Sequence, residues 1–182
     1  MKLTKKKKRV LILAAAASVC LAAAVTIGFL FRKTDPVKNE FIGARVTCQV
    51  AEAFDGAEKS SITVKNTGST DAFIRLRLIS YWVDGDGKIL GKPSQMPTVA
   101  YASDSWAKGS EDTYYYCKPV PPGSSTGELL TSPIRLSEST YEGERVYQTV
   151  EVFAEAIQSD PPRGAESSWH VTTKNGEILT AP

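Results

Sequence analysis

His170 is the only histidine in the chain, which limits most of the chemistry the sequence could support. A zinc site of the H-E-x-x-H kind needs two imidazoles on one helical face, so that site and any other built on paired histidines are excluded. His170 follows Trp169 with no cysteine pair nearby, and it reads as an exposed or half-buried strand residue. A Ser–His–Asp set could always be drawn from the many serines and the 20 acidic residues, so that pattern carries no information. Neither a G-x-S-x-G turn nor a phosphate-cradling glycine loop is present. The stretch Asp84-Gly85-Asp86-Gly87-Lys88 invites a calcium reading. An EF-hand loop opening at Asp84 would put Lys88 and Gln95 where oxygen ligands are required, so a hairpin turn is expected instead. Tyr114, Tyr115 and Tyr116 could make a stacking platform, but successive strand residues point to opposite faces, and packing is the expected role. We therefore assign no catalytic, cofactor-binding or metal-ligating residue, and expect a protein that is not an enzyme and uses no cofactor.

Cysteine chemistry is the remaining possibility. Cys48 and Cys117 follow the N-terminal region, an even count that an oxidising compartment would let pair. A bridge closing a loop of about 70 residues would contribute roughly 4 kcal/mol in the chain-entropy picture. Two separate buried thiols are the alternative.

The compartment follows from the N-terminus. Lys2, Lys5, Lys6, Lys7, Lys8 and Arg9 precede an uncharged run from Val10 to Phe31. As a helix that run would span about 33 Å, enough to cross a hydrocarbon core. The basic flank stays cytoplasmic, which sends the rest of the chain outward. Residues 1–33 are thus expected to be a signal peptide or signal-anchor helix, and 34–182 an extracellular domain. Alanines at 14–17 and 22–24 offer sites to signal peptidase, although the run is long for a cleaved signal. If uncleaved, residues 10–31 hold the protein in the membrane, with the C-terminal domain at the cell surface; if cleaved, the domain is secreted. Cys20 reads as a small apolar residue within the run. The first 33 residues hold 8 of the 22 basic residues and no acidic one, leaving the domain 14 basic against 20 acidic residues. An exported domain of net −6 is a poor partner for nucleic acid, whose affinity rests on phosphate neutralisation.

Within 34–182 the hydrophobic period is that of strands. Val46, Cys48 and Val50 alternate over 43–53, and Ile62 and Val64 share a face over 59–66. Over 71–83, Ile74, Leu76, Leu78 and Trp82 face one way and Arg75, Arg77 and Tyr81 the other, with Ser80 interrupting the apolar face. Asn66-Thr67-Gly68-Ser69 and Asp84-Gly85-Asp86-Gly87 are turns. Residues 88–90 form a short return strand, 91–111 a long loop and 113–118 a Tyr-rich strand. Residues 129–136 are expected as a strand kinked at Pro133, and 145–158 as the last long strand, with Val146, Val150, Val152, Ala154 and Ala156 on one face. Residues 165–169 have room for one helical turn, and 168–173 for a final short strand. Without crossover helices the pattern predicts an all-β, antiparallel β-sandwich of jelly-roll-like type after the N-terminal helix.

The run Lys65 to Arg77, KNTGSTDAFIRLR, resembles an N-x-G-x-x-x-A-x-[VI]-R strand–turn–strand. That pattern is found in the TasA and camelysin matrix proteins and in the clostridial alternate-signal-mediated exported proteins. Val150 to Gln158, VEVFAEAIQ, is similar to their penultimate strand, Trp169 to a tryptophan that often follows it, and Tyr114–Cys117 with its Pro-Gly turn to another segment. The family's signal usually ends in a Gly-Thr-x-Ala-type segment, where this chain has Thr26 to Asp35, a departure that favours a retained anchor. The metalloprotease activity attached to some camelysins is not carried over, since no zinc motif matches. The resemblance implies a fibre or biofilm-matrix subunit, or an accessory to one, that joins copies of itself or related subunits by β-strand addition. The donor segment would lie in 34–50 and present Phe41, Val46, Cys48 and Val50. A membrane-anchored domain binding a ligand or wall polymer is the alternative, and a hydrolase is a third reading.

Overall fold

A computed structural model describes residues 44–182. The expected signal or anchor helix at 10–31, Cys20 and Phe41 lie outside the described residues. Among the described residues no helix is long and apolar enough to cross a membrane.

The described residues are all-β apart from one short helix. The strands are β1 (Cys48–Phe54), β2 (Glu58–Asn66), β3 (Ala72–Val83), β4 (Ile89–Leu90), β5 (Trp106–Lys108) and β6 (Thr113–Tyr116). They continue with β7 (Ile134–Arg135), β8 (Glu138–Tyr141) and β9 (Glu144–Gln158). The helix α1 (Arg163–Trp169) and the hairpin β10 (Thr172–Lys174)–β11 (Glu177–Thr180) close the chain. β1, β2 and β7 make a three-stranded antiparallel sheet in the order β1-β2-β7. A six-stranded sheet runs β5-β6-β3-β9-β8, with β4 also paired to β3. The alternation over 71–83 explains why β3 sits at the centre: every second side chain is apolar, and both of its edges are hydrogen-bonded. The β3–β9 ladder runs without slippage from Ala72↔Gln158 to Val83↔Tyr147.

The sheets face each other across one core. Ile62 and Val64 of β2 meet Ile74, Leu76 and Leu78 of β3, Tyr114 of β6 and Val150 of β9, with Trp106, Leu129 and Ile134 closing the rim. The inward and outward faces read from the alternation hold: Leu76 is fully buried and Arg77 exposed. A fully buried Leu contributes about 1.5–3 kcal/mol of transfer free energy. Gln148 breaks the inward face of β9 and is buried there. Its Nε2 donates to Ser80 Oγ at 3.0 Å and to the Gln95 carbonyl at 2.8 Å, and its Oε1 accepts from Ser137 N at 3.2 Å. Ser80, the interruption on β3, is thus the partner of the interruption on β9, and together they pin the 94–95 loop over the sheet.

A second apolar cluster covers part of the outer face. Phe73 and Tyr115 pack there against Ala165, Trp169, Val171 and Ile178. The tyrosine run therefore divides as strand geometry requires, with Tyr114 in the inter-sheet core and Tyr115 under the C-terminal segment.

Several expectations are corrected. Residues 129–136 yield only the two-residue β7, because Pro133 has no N–H to donate; Leu129 N and Thr131 N bond singly to Ile62 O and Ala100 O. The loop expected over 91–111 contains β5. The helical turn expected at 165–169 is present as α1, which stops where His170 takes the left-handed conformation, φ 55°, so the short strand expected over 168–173 begins only at Thr172. The hairpin that follows turns at Asn175-Gly176, both at positive φ, which suits the tight hairpin turns that need left-handed residues.

Candidate functional site

The uncovered part of the outer face forms a polar cleft of about 320 Å³. Its floor is two cross-strand rows. Tyr115, Arg75 and Glu155 make one; Thr113 and Arg77 make the next, with Phe153 following in the same cross-strand row outside the lining. One wall is the tip of the β5–β6 hairpin, Ser110-Glu111. The other is the end of α1, Ser168 to His170, beside Pro182. The Ser110 amide donates to the Pro182 carbonyl at 2.9 Å, drawing the two walls together. Glu111 and Asp112 hold φ of 50° and 51° at that hairpin tip, a conformation that ordinarily selects Asn or Gly.

Two ion pairs cross the floor. Arg75 donates from Nε (3.2 Å) and Nη2 (2.8 Å) to Glu155 Oε2, and its guanidinium lies 4.9 Å from the centre of the Trp169 ring. Arg77 pairs with Glu111 through Nη2. A second depression of about 260 Å³, lined by Ile79, Ser80 and Met96 among others, shares Arg77 and Glu111 with the first, so this pair is a ridge between them. Thr113 is only 9% exposed and faces the cleft. Among the described residues its hydroxyl has no hydrogen-bond partner; nor do the side chains of Ser110, Ser168 and His170. Ser110, Glu111, Glu155, Ser168 and His170 thus line the cleft together. Among the described residues no group of three His, Cys, Asp or Glu is gathered to hold a metal ion. Asp84 instead closes its turn, its Oδ1 accepting from Asp86 N (3.0 Å) and Lys88 N (2.9 Å).

Of the residues singled out in the sequence for their chemistry, His170 and Tyr115 line the cleft and the others lie elsewhere. Of the two readings of Cys48 and Cys117, bridge or separate thiols, the structure holds both as free thiols. Cys48 opens β1 in the small sheet and packs on the inter-sheet core. Cys117 follows β6 in the large sheet, its carbonyl accepting from Ile178 N. Burial pushes both thiols above their ordinary pKa, with a further push from Glu155 at Cys48 and from Glu177 at Cys117. In the proposed donor segment, Val46, Cys48 and Val50 are half-buried on one face, and β1 pairs with β2 of its own subunit from Cys48↔Asn66 to Phe54↔Lys59. The cleft itself escaped sequence reading. Its advance signals were scattered: a pair of arginines on the outward face of β3, one tyrosine of the 114–116 run, and Trp169-His170.

No family model, curated protein or solved structure matches the chain. Three of the sequence segments described above meet at one place. Arg75 from the first motif and Glu155 from the VEVFAEAIQ strand form the ion pair over Trp169, the third element. Asn66 and Gly68 from the first motif also have a structural duty. The fully buried Asn66 donates from Nδ2 to the carbonyls of Thr70 (2.8 Å) and Val120 (2.7 Å) and accepts from Gly68 N (2.8 Å). A Cβ on Gly68 would stand 2.3 Å from the Arg45 carbonyl oxygen, so only glycine lets the N-terminal segment pass so closely.

Proposed function

We propose that this chain is an exported, non-enzymatic surface or matrix protein whose copies assemble by β-strand addition, tethered to the membrane where residues 10–31 are retained. The observation that carries this reading is β1. It is the longest strand at a sheet edge among the described residues, and it belongs to the segment that leads back to the N-terminus. A free edge presents unpaired N–H and C=O groups to another chain. Because Val46, Cys48 and Val50 already face their own core, donation takes the form of a swap. β1 leaves its β2 and fills the equivalent groove of the next copy, remaking the same contacts there.

A cross-link tests this without deleting the strand. Gln49 and Lys65 are opposed on β1 and β2 with both side chains exposed. With the native cysteines replaced by alanine, Gln49→Cys and Lys65→Cys should close a disulfide. Electron microscopy of the concentrated full chain should show polymers when the pair is reduced and monomers when it is oxidised. Polymers that persist under oxidation refute the swap, and a chain that never polymerises removes the assembly reading. A second reading, an anchored domain binding a ligand or wall polymer, is favoured by the cleft.

A further inference from the structure

We propose that the two depressions flanking the Arg77–Glu111 ridge form a binding site for a neutral oligosaccharide. This rests on the second reading above, and names the class of ligand. The charges select against ionic ligands. Arg75 and Arg77 are matched by Glu155 and Glu111, so an anion would meet two carboxylates and a cation two guanidiniums. A neutral polyol encounters neither penalty, because each of its hydroxyls both donates and accepts. The half-used ion pairs offer both functions: Glu155 Oε1 and Glu111 Oε1 remain as acceptors, and Arg77 retains unspent donors. Thr113, nine-tenths buried with its hydroxyl unpartnered, adds a fixed group on the floor, and Ser110, Ser168 and His170 add others on the walls.

The apolar half of sugar recognition stands at the rim. Phe153 lies directly opposite Arg77 in the ladder and is 45% exposed, and Ile79, on the same face, is 40% exposed. An aromatic ring beside convergent hydrogen-bonding groups lets a pyranose lay its C–H face on the ring while its hydroxyls reach the cleft. Two depressions sharing one ridge suit a chain of more than one sugar unit better than a single ring.

The test is calorimetric titration of the full chain, in a zwitterionic detergent free of sugar headgroups. The probes are maltotriose and triacetylchitotriose as neutral trisaccharides, trigalacturonate as the anionic form and deacetylated chitotriose as the cationic form. At least one neutral trisaccharide should bind with a dissociation constant at or below about 1 mM. It should bind more tightly than its monosaccharide and more tightly than either charged probe. Phe153→Ala and the shape-conserving Thr113→Val should each weaken binding by about tenfold with unchanged melting temperature, as expected for loss of one well-placed contact. Ile89→Ala, at an exposed apolar residue on β4, should change nothing. A charged trisaccharide that binds best, and is lost in both variants, would keep the cleft as a ligand site and overturn the neutral class. Binding that survives both variants, or no binding by any probe, would overturn the site itself.

Discussion

Single residues in this domain matter through the polar groups they leave satisfied. Asn66 satisfies two carbonyls and one amide where the β2–β3 turn meets the 120–124 loop. Asn66→Ala should therefore destabilise by about 2–4 kcal/mol in urea unfolding, since buried partners lose their bonds without gaining water. Tyr114 is the opposite case, its hydroxyl buried with no hydrogen bond. Tyr114→Phe should change stability by no more than roughly 1 kcal/mol, because it deletes a desolvated hydroxyl that makes no hydrogen bond among the described residues and has only the nearby charge of Lys108 beside it. Arg75 and Arg77 divide the same way. The first is packed on Trp169 and the second is half-exposed, so Arg77→Ala should cost no more than about 1 kcal/mol, as surface pairs do. For the thiols the sign follows from the raised pKa: at neutral pH Cys48 and Cys117 remain protonated, and the thiolate is the reactive form. Alkylation followed by peptide mapping should find both residues unbridged in the folded, unreduced protein. Their modification should be slow at neutral pH and accelerate only above the ordinary thiol range.

At the scale of elements, the long strands β3 and β9 form the frame, and the C-terminal segment is a cover for one end of it. α1 is short and lacks a side-chain cap at Pro162, so propensity does not hold it. It is held by Ala165 and Trp169, which pack with Phe73 and Tyr115, and by the stacking of Arg75. Trp169→Ala should therefore cost about 3–5 kcal/mol, the range for removing a buried aromatic, and should raise the binding of a hydrophobic dye by uncovering Phe73. The same change leaves β1 and β2 untouched, so strand exchange should survive it if the domain still folds. Gly68→Ala acts on the other end, forcing the Arg45 carbonyl away and loosening the start of β1. Exchange should then become faster even as the monomer loses stability.

For the whole molecule the governing arrangement is an acidic domain behind a basic, apolar N-terminus. A reporter fused after Gly43 should be active only outside the cytoplasm, and strong cytoplasmic activity there would reverse the proposed topology. The sandwich keeps the proposed exchanging strand and the proposed binding cleft apart, since β1 edges the small sheet and the cleft lies on the outer face of the large one. A locked β1–β2 pair should abolish polymers while leaving sugar affinity unchanged, and Phe153→Ala should do the converse. Measuring both properties on both variants checks the separation.

The sequence by itself determined what depends on neighbours along the chain. The alternation over 71–83 and 145–158 specified strands and their inward faces, because side-chain direction in a strand has a period of two. Asn66-Thr67-Gly68 and Asp84-Gly85-Asp86-Gly87 specified turns, because those residues bond locally or tolerate unusual backbone angles. Tertiary structure decided what depends on which strand lies beside which. Arg75 and Glu155 are far apart in sequence, and only the β3–β9 register brings them together, with Arg75 over the Trp169 ring. The relation of Cys48 to Cys117 is of this kind: an even count left bridge and separate thiols open, and the fold sets one at the start of β1 in the small sheet and the other just after β6 in the large one. The cleft was illegible for the same reason: its floor comes from three strands and its walls from a hairpin tip and a helix end. No local pattern encodes the pairing of Arg77 with Glu111, or the placing of His170 across from them.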